Sequence, residues 1–222
     1  MDSFRVIEIK KSVYENNDRE AAKLRAELAR GGVFLINLMS SPGSGKTSTL
    51  KRTIEALKGE LAIGVMEADL DSDVDARAVE QAGARAIQLH TGGMCHLDAG
   101  MTRQGLDALG TVGLDLVFLE NVGNLICTAN FDTGAAKSVM ILSVPEGDDK
   151  PLKYPHMFEV ADLILVNKID ARAFFDFNLE AFAERVGRLN TRAKIVPISA
   201  KTGEGFDAWL QWIRNELATS HS

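Results

Sequence analysis

Eight consecutive residues, Ser40-Ser41-Pro42-Gly43-Ser44-Gly45-Lys46-Thr47, have the order of a phosphate-binding loop. They follow an apolar, β-type run over 33–39 and open a helical stretch over 47–57. In that context Gly43, Ser44 and Gly45 allow successive backbone N–H groups to turn inward around a β- and a γ-phosphate, with Ser48 close behind. Lys46 adds a positive charge there, and the Thr47 hydroxyl can ligate Mg²⁺. Ser40 stands where the pattern G-x-x-x-x-G-K-S/T has its first glycine, and a small residue fills that position if its φ is negative. The competing reading, a glycine-rich turn without a ligand, does not account for the strand before it and the helix after it.

A second constellation could read a base. The apolar run 162–166 ends in Asn167-Lys168-Ile169-Asp170, and the next core run, 194–198, ends in Ser199-Ala200-Lys201. A carboxylate at Asp170 can accept hydrogen bonds from N1–H and the exocyclic amine of guanine, whereas adenine offers a lone pair and no such amine. Because a buried carboxylate left unpaired is costly, the discrimination should be large. Asn167 would brace the loop or reach N7, the Lys168 stem would cover the base, and the Ala200 N–H would serve O6. N-K-x-D alone also occurs on solvated loops. The order of the three segments is what points to GTP and GDP.

Two acidic stretches follow strand-like runs. Residues 115–119 lead into Glu120-Asn121-Val122-Gly123-Asn124, where the Glu120 carboxylate can reach Mg²⁺ and the Gly123 N–H can approach a γ-phosphate. Residues 61–66 lead into Glu67-Ala68-Asp69-Leu70-Asp71-Ser72-Asp73-Val74-Asp75, whose four aspartates repel one another unless a cation neutralises them. Asp69 and Asp75 are the expected Mg²⁺ neighbours, and a merely solvated acidic loop is the rival reading for Asp71 and Asp73. Lys46, Glu120 and Asn124 make up the expected catalytic set. Asn124 follows the glycine where some GTPases place a glutamine, and slow intrinsic hydrolysis is expected.

Cys95 and His96 lie in a glycine-bearing loop before a helix, and Cys127 follows the Glu120 segment. Thiolate and imidazole suit Zn²⁺ or Ni²⁺ and not Mg²⁺. Three ligands per chain leave water or a second chain to complete such a site. From residue types alone, inert core cysteines and a hydrogen-bonded histidine are an equally open alternative.

These groups have to be positioned by alternating elements. Strands are expected over 33–39, 61–66, 84–89, 115–119, 138–144, 162–166 and 194–198, and helices over 12–30, 47–57, 76–82, 97–109, 178–189 and 206–217. Continuous apolar strands separated by helices predict an α/β P-loop NTPase fold, a predominantly parallel sheet flanked by helices on both faces with ligands at its carboxyl edge. The expected organisation is an N-terminal helical extension over 1–32, a nucleotide-binding domain over 33–218 and a frayed tail over 219–222, with a polar, proline-punctuated loop over 147–155. Among 222 residues, 45% are hydrophobic and 25% charged, as in ordinary soluble proteins. A net charge of −6 without a basic block argues against nucleic acid as a partner. No apolar run is long enough to span a bilayer and the first residues are charged, so no membrane association and a cytoplasmic location are expected. Two cysteines are too few for a secreted disulfide framework.

In sequence order, S-S-P-G-S-G-K-T, E-A-D-L-D-S-D-V-D, C-H-L-D-A, E-N-V-G-N-L-I-C and N-K-I-D closely resemble the hydrogenase nickel-incorporation GTPase family (HypB), of the SIMIBI class of P-loop GTPases. The resemblance covers nearly the whole chain after the first helix. It implies a GTP-hydrolysing metallochaperone that forms a GTP-dependent homodimer and, with a maturation partner, delivers nickel to the hydrogenase large subunit. It further implies that Cys95, His96 and Cys127 bind Ni²⁺ or Zn²⁺ at the dimer interface, and that Lys153, with Lys150 as the weaker candidate, lies against the partner's guanine. Some members carry an N-terminal cysteine motif or a histidine-rich tract; this sequence has neither, and its four histidines are scattered. Thr128 replaces the proline often found after the second cysteine. Two alternatives stand beside this one. The urease-maturation GTPase usually has Cys-Pro-His where this chain has Cys95-His96, and a nucleotide-dependent scaffold would make hydrolysis incidental.

Overall fold

The computed structural model describes residues 5–8, 16–69 and 74–220, with side chains over 16–68 and 77–220. Strand β2 (Phe34–Ser40) is buried at every position, and a strand so apolar on both faces has to lie inside a covered sheet. It sits between β5 (Leu116–Glu120) and β6 (Lys137–Ser143). Outward from β5 come β3 (Ile63–Asp69), β4 (Arg85–His90) and the edge strand β1 (Arg5–Glu8); outward from β6 come β7 (Leu163–Asn167) and β8 (Lys194–Pro197). Every one of these pairings is parallel. After β2 the chain lays down β3, β4 and β5 on one side of it and then β6, β7 and β8 on the other, and this reversal opens a crevice at the carboxyl ends.

Alternation along β2 decides what covers each face. Phe34, Ile36 and Leu38 pack with Leu50, Ile54 and Leu57 of α2 (Lys46–Leu57), with Val79 of α3 (Val74–Ala82) and with Trp209 and Ile213 of α8 (Phe206–Ser220). Leu35 meets Leu24 of α1 (Asn17–Arg30) and Met101 and Leu106 of α4 (Ala99–Leu109). Met39 meets Met157 and Phe158 of α6 (Pro155–Glu159) and Phe182 and Val186 of α7 (Leu179–Leu189). Each fully buried large side chain contributes roughly 1.5–3 kcal/mol, which fixes the sheet as a rigid platform. Trp209 Nε1 also donates to Thr53 Oγ1 at 2.9 Å, tying α8 to the helix that follows the phosphate loop.

Three expectations about elements need correction. The N-terminal extension is not wholly helical, because Arg5–Glu8 adds a third strand on the β3 side of β5, Val6 opposite Gln88; the part of the expected helix over 12–15 lies outside the described residues. The stretch over 147–155 is not an open loop. It contains α5 (Lys150–Lys153) and the start of α6, each with a proline in its first turn, where the missing N–H is harmless and the fixed φ suits a helix. Helix α8 continues through Ser220, whose hydroxyl donates to Leu217 O at 2.8 Å, so only 221–222 of the expected tail remain, outside the described residues.

Candidate nucleotide and metal site

The phosphate loop leaves β2 at the carboxyl edge and enters α2 through Gly45, which has φ 95°. No L side chain is comfortable in that left-handed conformation, and a Cβ here would also strike the Asn167 amide. Ser40 lies outside the positive-φ set, which satisfies the condition for replacing glycine. Lys46 Nζ donates to Ser40 Oγ at 2.9 Å, and Thr47 Oγ1 donates to Glu120 Oε1 at 2.9 Å. Gly43, Gly45, Lys46, Thr47 and Ser48 line an open cavity of about 560 Å³ whose other wall carries Glu67, Glu120, Asn121, Gly123 and Lys168. Ser44 is buried and contributes its carbonyl to the bracing described next.

Asn167, 1% exposed at the end of β7, joins three loops. Its Nδ2 donates to Ser44 O at 2.9 Å, and its Oδ1 accepts from Lys168 N at 2.8 Å and from Ala200 N at 3.0 Å. Of the two roles expected for it, bracing is the one formed here. Ala200 N–H, expected at O6 of the base, is thus engaged by Asn167. Lys168 is the one described non-glycine residue with positive φ (63°), and its Nζ donates to Gly43 O at 2.6 Å, so its stem crosses from the base loop to the phosphate loop. Asp170 is exposed, and Ser199 Oγ donates to its Oδ1 at 2.6 Å. Lys201 is exposed in the same loop.

Two buried carboxylates, Glu120 (2% exposed) and Glu67 (3%), lie opposite each other in the β3–β5 register on the cavity wall. Together with the Thr47 hydroxyl they form a hard oxygen set that fits Mg²⁺. Glu67 was not singled out from sequence, although an acid directly after an apolar strand run was the available signal. The side chains of Asp69 and Asp75 lie outside the described residues. Glu146 was also missed. It accepts from Ser41 Oγ of the phosphate loop, while its other oxygen accepts from Ser143 N and Oγ, both at 2.7 Å.

The loop after β5 carries Gly123 against the phosphate loop, since an added Cβ would lie 3.1 Å from Pro42 N. The next residue turns its amide oxygen back into its own loop. Asn124 Oδ1 accepts from Ile126 N and Cys127 N, both at 2.8 Å, and so builds the turn into the 3-10 segment Cys127–Ala129. The Cys95 thiol beside it, and then burial, raise the Cys127 thiol above its ordinary value. His96 Nδ1 is 3.9 Å from Cys95 Sγ, but its ring is 5% exposed and stacked 3.6 Å from Phe131. The three expected ligands therefore share one neighbourhood without converging. Among the described residues, no group of three His, Cys, Asp or Glu is arranged to hold a metal ion. Lys153, expected to reach a partner's guanine, is ion-paired with Asp149 at 2.5 Å on the exposed side of α5.

A parallel sheet with a phosphate loop at its reversal point and an N-K-x-D loop beside it defines a P-loop GTPase nucleotide-binding domain. The CobW/HypB/UreG nucleotide-binding domain matches residues 34–197. The hydrogenase maturation factor HypB of Rhizobium leguminosarum is 46% identical, over 98% of this chain and 73% of that protein; that of Escherichia coli K12 is 42% identical, over 97% and 74%. The crystal structure of HypB from Archaeoglobus fulgidus superposes with a TM-score of 0.85 at 40% identity, over 92% of this chain and 100% of that one. That of HypB from Helicobacter pylori in complex with nickel gives 0.87 at 34%, over 94% and 98%. The chain belongs to the CobW/HypB/UreG family and, within it, groups with HypB. The signal recognition particle receptor FtsY of Elizabethkingia anophelis, at a TM-score of 0.53 and 14% identity, shares the fold.

Proposed function

We propose that the protein is a GTP-hydrolysing nickel chaperone acting in hydrogenase maturation. The observation that carries this reading is the continuity between Gly123, packed on the phosphate loop, and Cys127, held by Asn124 in the same turn. GTP is held by the phosphate loop, with guanine recognised by Asp170. Water attacks the γ-phosphorus, the bond to the β–γ bridging oxygen breaks, and GDP and phosphate leave. Lys46 steadies the charge that develops on the transferred group, and Glu120 fixes the Thr47 hydroxyl beside it. Mg²⁺ would be held by Thr47 and Glu120, with Glu67 adjoining and Asp69 and Asp75 as further candidates, and would supply neutralisation of phosphate charge. Turnover of the isolated protein is slow, because Asn124 is committed to its turn and orients no water.

Nickel is the cargo, taken by the Cys95 and Cys127 thiolates with His96 once the imidazole leaves Phe131; the soft donors accept Zn²⁺ as well. Dimerisation with GTP supplies the remaining ligands from a second copy. Lys153 takes part by exchanging its exposed ion pair with Asp149, which contributes little stability, for contact with the partner's nucleotide. The maturation partner and the hydrogenase large subunit act before and after this step, in the cytoplasm; among the described residues no helix is long and apolar enough to cross a membrane. The test is nickel titration with GDP and with a non-hydrolysable GTP analogue. Equal affinities would end the coupling, and undiminished transfer by Lys46→Ala would reduce the protein to a scaffold. A urease recipient is a second reading, favoured by the 40% identical Helicobacter hepaticus relative, named a hydrogenase/urease maturation factor. Transfer to each nickel-free enzyme separates the two.

A further inference from the structure

Arg52 is part of neither the phosphate loop nor the base loops, yet its guanidinium joins the two ends of the nucleotide site. It lies on α2, little more than one turn beyond Thr47, and reaches across to the loop after β8. Nη1 donates to Ala200 O at 3.2 Å and to Lys201 O at 3.4 Å, and Nη2 donates to Thr202 O at 3.3 Å. Its planar group lies over the Phe206 ring, 5.5 Å from the centroid. Gly203, with φ +90°, makes room for it, because a Cβ there would collide with the guanidinium. Three successive carbonyls turned to one side repel one another, and a planar cationic fork is what can hold all three.

The same loop presents the groups that act on the base. Ser199 Oγ accepts from Thr202 N at 3.0 Å and donates to Asp170 Oδ1 at 2.6 Å, and Ala200 N is held by Asn167. We infer that Arg52 is a positioning residue for guanine selection: by clamping the 200–202 carbonyls it fixes Ser199, and through Ser199 the orientation of the Asp170 carboxylate. It is not among the residues that line the phosphate cavity. This inference rests on the guanine reading of the site.

The experiment is calorimetric or competition binding of GDP and ADP, each with Mg²⁺, to wild type, Arg52→Ala and Arg52→Lys, with thermal melting alongside. Arg52→Ala should weaken GDP binding about tenfold while leaving ADP within about twofold, so that the GDP-to-ADP ratio falls. Arg52→Lys keeps the stem over Phe206 but offers a point charge in place of a fork, and its ratio should fall by a smaller factor. Equal weakening of both nucleotides in Arg52→Ala would assign Arg52 to packing alone and overturn the inference, as would an unchanged ratio. Should Arg52→Ala fail to fold, Arg52→Lys decides the matter, and a wild-type ratio there refutes the clamp. A wild-type protein with no preference for GDP over ADP would instead refute the guanine reading itself.

Discussion

Replacing Asn167 by alanine strips the site of its central brace and leaves its three partners in place. Lys168 N–H and Ala200 N–H lose their acceptor and Ser44 C=O loses its donor, in bonds of 2.8, 3.0 and 2.9 Å. At 1% exposure the side chain keeps water away from these groups, so solvent does not simply take its place. A typical intramolecular hydrogen bond contributes about 0.5–1.5 kcal/mol net, and three together give about 2–4 kcal/mol of lost stability. Urea unfolding of the nucleotide-free protein measures this directly. Asn167→Asp keeps the acceptor but points a carboxylate oxygen at Ser44 O, so it should be destabilised without regaining the phosphate-loop contact. The base provides an independent check. If Asn167 braces and does not read N7, 7-deaza-GDP should bind wild type as tightly as GDP. A loss below about 1 kcal/mol in Asn167→Ala would refute the bracing argument, and a strong penalty for 7-deaza-GDP would return the residue to the base.

Asp170→Asn should move the preference from guanine toward xanthine nucleotides, since the amide can donate where the carboxylate accepted; competition between GTP and XTP reads it, and an unchanged preference contradicts the assignment. Gly45→Ala should abolish nucleotide binding, because the left-handed backbone costs an L residue about 1–2 kcal/mol and the new Cβ strikes Asn167. Retained GDP affinity in a titration would contradict that geometry. Asn124→Ala removes two hydrogen bonds from the Cys127 turn, which should weaken nickel binding while leaving the single-turnover hydrolysis rate and GDP affinity near wild type. A collapse of hydrolysis with intact nickel binding would make Asn124 the water-positioning residue after all.

Much of this arrangement was legible because its signals are local. A phosphate loop is a run of backbone conformations written in glycines, and the buried parallel strands are continuous apolar runs, so β2, β5, β6 and β7 were found to within a residue or two at their ends. Strand β1 was not, because four residues at the sheet edge carry too short a pattern to be told from a helical approach. From sequence the prolines at 151 and 155 punctuate a loop. In the fold they begin α5 and α6, and nothing in the residue type separates the two uses. Side-chain roles set by distant partners were the least legible. Arg52 meets residues about 150 positions away, and Glu146 meets Ser41 across 105 positions. Asn124 is expected in the catalytic set by its place after Gly123, and the bonds its amide oxygen accepts from Ile126 N and Cys127 N depend on the path of the chain beyond it.

Under the proposed function, that brace is the route by which a γ-phosphate would be felt at Cys127. Between Gly123 and Cys127 the chain has few soft joints. Asn124 Oδ1 fixes the next turn from its near end, Thr128 Oγ1 returns a hydrogen bond to Asn124 O, and Asn121 Nδ2 anchors the segment to Asn37 Oδ1 in β2 at 3.1 Å. On the proposed reading, a movement of Gly123 toward or away from Pro42 would be carried to Cys127 as a displacement of the whole turn. Cys127 meets Cys95, which belongs to the loop after β4, so a displacement of one thiol relative to the other changes the distance between two donors. Thiolate–metal bonds are short and directional, and each tenfold change in nickel affinity requires only ~1.4 kcal/mol of difference between the nucleotide states. Reciprocity then follows. If GTP alters nickel affinity through this segment, bound nickel must alter GTP affinity by the same factor, and a loosened turn in Asn124→Ala should diminish both effects together.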